Sequence, residues 1–117
     1  MIVKIFHNPR CSKSRQTLQL LRDQGQDPEV LEYLKVPLDT ATVDRILQLL
    51  NLQPRELMRT NENVYHEQNL ADPSLTRAEL LQAMVDHPIL IQRPIVIVND
   101  QAAAIGRPPE AVLELLV

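Results

Sequence analysis

The N-terminal run Ile2-Val3-Lys4-Ile5-Phe6-His7-Asn8-Pro9-Arg10-Cys11-Ser12-Lys13-Ser14-Arg15 carries the change of period, from strand to helix, on which the architecture turns. Its first five residues are rich in β-branched and aromatic side chains, which suit a short buried strand. The strand stops at His7-Asn8-Pro9, where proline lacks a backbone donor and asparagine favours a turn. Beyond it Ser14, Leu18, Leu21 and Gly25 fall at helical spacing, with Ser12 or a neighbour as cap and Gly25 suited to a left-handed stop. Cys11 therefore sits at the start of a helix. Asp27-Pro28 breaks that helix, and Glu29 to Leu34 alternates as a second strand, so the chain opens β-α-β.

Farther along the period stays helical. Val43, Ile46, Leu47 and Leu50 mark a helix over about 40–50 behind a cap at Asp39 or Thr40. Pro54 opens a short helix ending near Met58. Residues 62–72 are polar and aperiodic and read as loop. Thr76 and Glu79 have the spacing of a capping box, ahead of a helix with Leu80, Leu81 and Met84 inward that ends at Asp86. Residues 39–86 thus form a helical insertion. After His87-Pro88, the apolar runs Ile89-Leu90-Ile91 and Pro94 to Val98 bracket Arg93. A turn at Asn99-Asp100 then leads to Ala102-Ala103-Ala104-Ile105, which returns a β-hairpin to the sheet. Gly106-Arg107-Pro108-Pro109 leads into a closing amphipathic helix with Val112, Leu113 and Leu116 inward. The sequence-level fold is one α/β domain over 1–117: β-α-β, helical insertion, β-β-α.

Composition sets the outer bounds. A chain of 117 residues, 44% hydrophobic and 23% charged, suits one globular domain with a real core. A net charge of −3 repels polyanions, so any anion site is local, and a general nucleic-acid binder is disfavoured. Phe6, Tyr33 and Tyr65 are the only aromatic residues, too few for a base-stacking platform or a membrane belt. No apolar run approaches the roughly 20 residues that span a bilayer. A single cysteine cannot form an internal disulfide and fits a reducing, cytoplasmic setting.

That cysteine is the chemical centre. Unpaired N–H groups and the dipole at a helix start favour thiolate over thiol, and His7, Arg10, Lys13 and Arg15 are cationic neighbours in sequence. The alternative, a small buried residue, fits neither the position nor the charges. A second cysteine three residues on would let the protein resolve its own mixed disulfide, but Ser14 stands there, so the second thiol must come from outside. Ser14 Oγ is placed to donate a hydrogen bond to the thiolate, and a plain polar residue in the first helical turn fits the sequence equally well. A Cys-x5-Arg phosphate loop is excluded by Thr17. His7, His66 and His87 are too scattered to join Cys11 in a metal site, and Gly25 and Gly106, the only glycines, cannot write a P-loop or dinucleotide fingerprint.

Four blocks, HNPRCSKSR at 7–15, LMRTN at 57–61, HPILIQRPIVI at 87–97 and IGRPPEAVLELL at 105–116, together resemble the ArsC family of glutaredoxin-linked arsenate reductases over nearly the whole chain. The resemblance implies a thioredoxin-like, glutaredoxin-type sandwich with a helical insert. It also implies Cys11 as nucleophile, His7 as a residue supporting the thiolate, Arg59, Arg93 and Arg107 as the oxyanion clamp, and Pro94 as the cis-proline beside the cysteine. The implied partners are arsenate or a similar small oxyanion, glutathione as co-substrate and glutaredoxin, with no bound cofactor. Two other functions are compatible with the residues: a monothiol glutaredoxin-like protein acting on glutathione mixed disulfides, and a non-enzymatic partner-binding module similar to RNA polymerase regulators of the same fold.

Overall fold

The computed structural model describes all of residues 1–117, and the chain divides into two compact units, 1–36 with 93–117, and 37–92. The first unit contains β1 (Val3–Phe6), α1 (Ser12–Asp23), β2 (Glu29–Leu31), β3 (Ile95–Val98) and β4 (Ala102–Ile105). The strands form one sheet in the order β2-β1-β3-β4. β1 runs parallel to β2 and antiparallel to β3, with Ile5 opposite both Val30 and Val96, and β3 and β4 are antiparallel. A parallel pair needs a long crossover, and α1 supplies it. Leu18 and Leu21 of α1 pack on Val3, Ile5, Val96 and Val98 together with Val112.

Local chemistry explains the turns. Gly25 takes the left-handed conformation after α1, at φ +79°. Between β3 and β4, Asn99 and Asp100 both have positive φ, and Gln101 N–H donates to the Val98 carbonyl. This mirror-image turn matches the twist of the flanking strands. Asn99 Oδ1 also accepts from Ile2 N–H at 2.7 Å, tying the hairpin to the chain start.

Three expectations for this unit change. β2 ends at Leu31, not Leu34, because its only neighbour, β1, ends opposite at Phe6; Lys35 and Val36 N–H then turn back onto the Glu32 carbonyl. Of Ser12 and its neighbours, Cys11 takes the N-cap position of α1, extended but without the side-chain bond expected of a cap. The closing segment Pro109–Leu116 is a 3-10 helix, whose i, i+3 repeat aligns Val112 with Leu115. Leu115 and Leu116 pack on the core, whereas Leu113 does not.

The second unit contains α2 (Thr40–Leu50), α3 (Asn63–Glu67) and α4 (Arg77–Asp86), with 3-10 turns at Pro54–Leu57 and Pro88–Leu90. The Asp39 side chain accepts from Thr42 N–H, and Thr76 and Glu79 exchange the two bonds of a capping box. α2 packs against α4, and Val43, Ile46, Leu47, Leu80, Leu81 and Met84 are buried. Residues 62–72 are not all loop, since α3 forms there around the buried Tyr65. Ile89 to Ile91 is not a strand. The backbone N–H groups of Leu90 and Ile91 close a tight turn onto the carbonyls of His87 and Pro88, and only Ile91 pairs, in a single bridge to Met58.

Gly106 marks a close approach in the first unit. A Cβ there would lie 2.5 Å from Thr17 Oγ1 and 2.8 Å from Pro94 Cγ. We therefore expect Gly106→Ala to lower the unfolding free energy by about 1–3 kcal/mol, as overpacking does, measured by denaturant titration, and Thr17→Ala in the same chain to recover part of that loss.

Candidate active site

The site in the first unit is built on the loop between β1 and α1. His7 and Asn8 are both 6% exposed, and Ser14, in the first turn of α1, is fully buried. Ser14 Oγ lies 2.5 Å from His7 Nδ1 and accepts from Asn8 N–H at 3.0 Å. Asn8 Oδ1 in turn accepts from Arg10 N–H at 3.0 Å, and the Asn8 carbonyl accepts from Cys11 N–H at 3.0 Å. The loop is thereby fixed from three sides, and Cys11 is left half-buried at the mouth of α1.

The Cys11 thiol is held below the ordinary cysteine range. Burial alone pushes it up, but this is outweighed by the polarity of the nearby Ser14 backbone N–H, the Arg93 guanidinium and the Lys13 backbone N–H, with the Arg93 charge adding to them. Arg107 Nη2 stands 3.6 Å from Sγ, a long contact at an exposed side chain, where solvent screens the charge. Its Nε donates to the Arg93 carbonyl at 2.7 Å, and Gly106 N–H donates to the Pro94 carbonyl at 2.9 Å. The segment bearing Arg107 is thus laced to Arg93-Pro94, whose peptide bond is cis.

Arg93 is the most telling group. Its Nε and Nη1 are buried, and neither has a protein partner. A buried guanidinium nitrogen without an acceptor is costly, and because Nε and Nη1 lie on different edges of the guanidinium, separate acceptor oxygens are what would satisfy them.

The sequence expectations are met unevenly. His7, Cys11, Ser14, Arg93, Pro94 and Arg107 all lie in the first unit. Arg59 belongs to the second, where its Nε pairs with Glu62 Oε1 at 3.0 Å and its N–H donates to the Leu90 carbonyl. Ser14 supplies the thiolate with its backbone N–H, while its hydroxyl is taken up by His7 and Asn8. His7 is not a cation near neutrality: burial lowers its pKa, with Arg22 and Arg15 adding to that effect and Glu32 opposing it. Arg10, Lys13 and Arg15 extend into solvent, and Arg15 Nη1 donates to the Pro9 carbonyl at 2.9 Å. Sequence reading missed Asn8 and Thr17. Both are buried polar residues, and Thr17, at i+3 from Ser14 and beside Leu18, was readable from the inward stripe of α1.

No helix is long and apolar enough to cross a membrane, and no three His, Cys, Asp or Glu side chains gather as metal ligands.

We expect Cys11 alkylation by iodoacetamide to titrate below an ordinary cysteine, and Arg93→Ala to move that midpoint up. We expect the His7 imidazole resonance to titrate below 6.5. The unfolded chain then binds the extra proton first, so His7 reduces stability as pH falls below 6.5. Ser14→Ala, which orphans the buried Asn8 N–H, should cost about 1–3 kcal/mol in denaturant unfolding.

Comparison with known proteins agrees with this fold. The profile of the ArsC family matches residues 6–115. The chain is 56% identical over 115 residues to the uncharacterized protein YfgD of Escherichia coli K12, covering 97% of this chain and 96% of that one. It is 45% identical over 117 residues to the arsenate reductase of Haemophilus influenzae, covering 99% and 100%. The solved arsenate reductase from Vibrio cholerae superposes with a TM-score of 0.94 at 49% identity, covering 97% of each chain.

Proposed function

The chain belongs to the ArsC family, and from that membership and the geometry around Cys11 we propose that it reduces arsenate to arsenite, with glutathione and glutaredoxin as the external reductants. The observation that carries the proposal is the pair of buried, unpartnered Arg93 nitrogens beside an acidified thiol. An oxyanion held by this guanidinium beside the thiol is positioned for attack, which makes thiolate attack on the central atom a nearly unimolecular step. Arg107, with one guanidinium nitrogen at 3.6 Å from Sγ, adds a second cation where negative charge builds during attack. Arg59 enters the proposal through the family resemblance alone.

In this reading the Cys11 thiolate attacks As(V) and one arsenate oxygen leaves as water. A glutathione thiol replaces a second oxygen, again releasing water. A further thiol, from glutaredoxin, attacks the glutathione sulfur; the As–S bond breaks and its electron pair stays on arsenic, which becomes As(III). Water then cleaves the Cys11–As(III) bond, regenerating the thiol and releasing arsenite. The mixed disulfide of glutaredoxin is reduced by another glutathione, so the net conversion is arsenate plus two glutathione thiols to arsenite, glutathione disulfide and water. Ser14 in place of a second cysteine supports the dependence on outside thiols.

The test is arsenate-dependent NADPH oxidation coupled through glutathione, glutaredoxin and glutathione reductase. Cys11→Ser should abolish it. Arg93→Ala should lower kcat/KM for arsenate by about 10- to 100-fold, the loss expected for hydrogen bonds to a charged group. Wild-type protein that reacts with iodoacetamide but not with arsenate would overturn the proposal and favour glutathione mixed disulfides as the substrate.

A further inference from the structure

A cleft of about 210 Å³ opens beside the cysteine loop, wholly within the first unit, and nothing in the chemistry above uses it. His7, Asn8 and Arg10 line it from the loop before Cys11, and Glu32, Leu34 and Lys35 from the turn after β2. Its lining reaches Arg10, the residue that precedes Cys11.

The polar groups of the cleft define what it can take. His7 is 6% exposed and its Nδ1 is occupied by Ser14, so Nε2 is the ring nitrogen left without a protein partner. Asn8, equally buried, spends its Oδ1 on Arg10 N–H, which leaves its amide nitrogen as a donor. Lys35 Nζ lies 3.3 Å from Glu32 Oε1, but the lysine side chain is 74% exposed, so the pair is weak and easily rearranged. Two cations therefore face one carboxylate already engaged, among neutral donors, and Leu34 adds an exposed apolar surface. That complement suits a carboxylate rather than an ammonium group. The volume lies below the roughly 300–1,000 Å³ of a complete small-molecule site, so it suits one end of a ligand whose remainder lies outside.

We propose that this cleft receives the C-terminal glycine carboxylate of glutathione and so presents the peptide's sulfur to Cys11. The inference rests on glutathione being the reductant, but it can be tested without arsenate. In the test step the Cys11 thiolate attacks one sulfur of oxidised glutathione; the Cys11–glutathione disulfide forms, the original S–S bond breaks, and one glutathione thiolate leaves with the electron pair.

The rate of this step on the full-length protein is followed by mass spectrometry with three disulfides: oxidised glutathione, its glycine ethyl ester, and bis(2-hydroxyethyl) disulfide. Wild-type protein should favour oxidised glutathione over the ester by about ten-fold, the worth of one hydrogen bond to a charged group. Lys35→Glu should erase that preference while leaving the rate with bis(2-hydroxyethyl) disulfide unchanged, which reports an intact fold and thiol. Equal rates for oxidised glutathione and its ester in the wild type, or a preference that survives Lys35→Glu, would overturn the site. Neither result touches arsenate reduction, whose failure would appear only in the NADPH assay.

Discussion

A single buried hydroxyl holds the site together. Ser14 Oγ lies between His7 Nδ1 and the Asn8 N–H, and through it the end of β1 is joined to the first turn of α1. The loop between them contains Pro9, which has no N–H to give, so its shape depends on the few bonds available. Asn8 supplies two more, accepting from Arg10 N–H with its side chain and from Cys11 N–H with its carbonyl. The result is a cysteine at the N-cap position whose thiol is acidified by the nearby N–H groups of Ser14 and Lys13 without a formal cap bond to either. Those amide donors are part of the backbone, so they cannot swing away and cost no reorganisation when charge forms on sulfur.

Around that fixed sulfur the charges are arranged by burial. Arg93 sits at the junction between the preceding segment and β3, and the apolar run that follows it, Ile95 to Val98, is buried along its whole length. The strand anchors the arginine from one side. From the other, Arg107 and Gly106 bond to the carbonyls of Arg93 and Pro94, and Gly106 fits against Thr17 and Pro94 only because it has no Cβ. Arg107 therefore owes its position to the same core that positions Arg93. A net-negative molecule can still recruit an anion under these conditions, because a buried, unpaired guanidinium acts over a few ångströms whereas surface acids are screened.

The fold was legible in the sequence wherever a periodic apolar pattern met a chemical boundary signal. α1, α2 and α4 each pair an inward stripe with a recognisable stop or start, such as Gly25, Asp39, or Thr76 with Glu79. Short elements were not legible, because their form depends on what they pack against. Glu29 to Leu34 alternates like a strand, yet only the part opposite β1 pairs. Ile89 to Ile91 has strand composition, yet Pro88 and the carbonyl of His87 draw it into a turn. The site followed the same division. Position in the chain was enough to find Cys11 and the meaning of Ser14 at the fourth position. Which cation acts on the thiolate was readable through the family resemblance but not from spacing, because Arg93 comes from a distant segment, while Arg10, Lys13 and Arg15, adjacent in sequence, are exposed.

The opposition between burial and hydrogen bonding at Cys11 also bears on how good a nucleophile it can be. Lowering a thiol's pKa raises the thiolate fraction near neutral pH, but it weakens each thiolate, by roughly 0.4–0.5 log units per unit of pKa. The gain exceeds the loss only until the pKa reaches the ambient pH; below that, further acidification only weakens attack. Half-burial of the sulfur works against the amide donors and Arg93, and so restrains the acidification they cause. The same groups act in the opposite direction when sulfur must depart from arsenic or from a disulfide, since a stabilised thiolate leaves faster. In the proposed reaction one sulfur is both nucleophile and leaving group, so the opposition between burial and nearby donors bears on both steps.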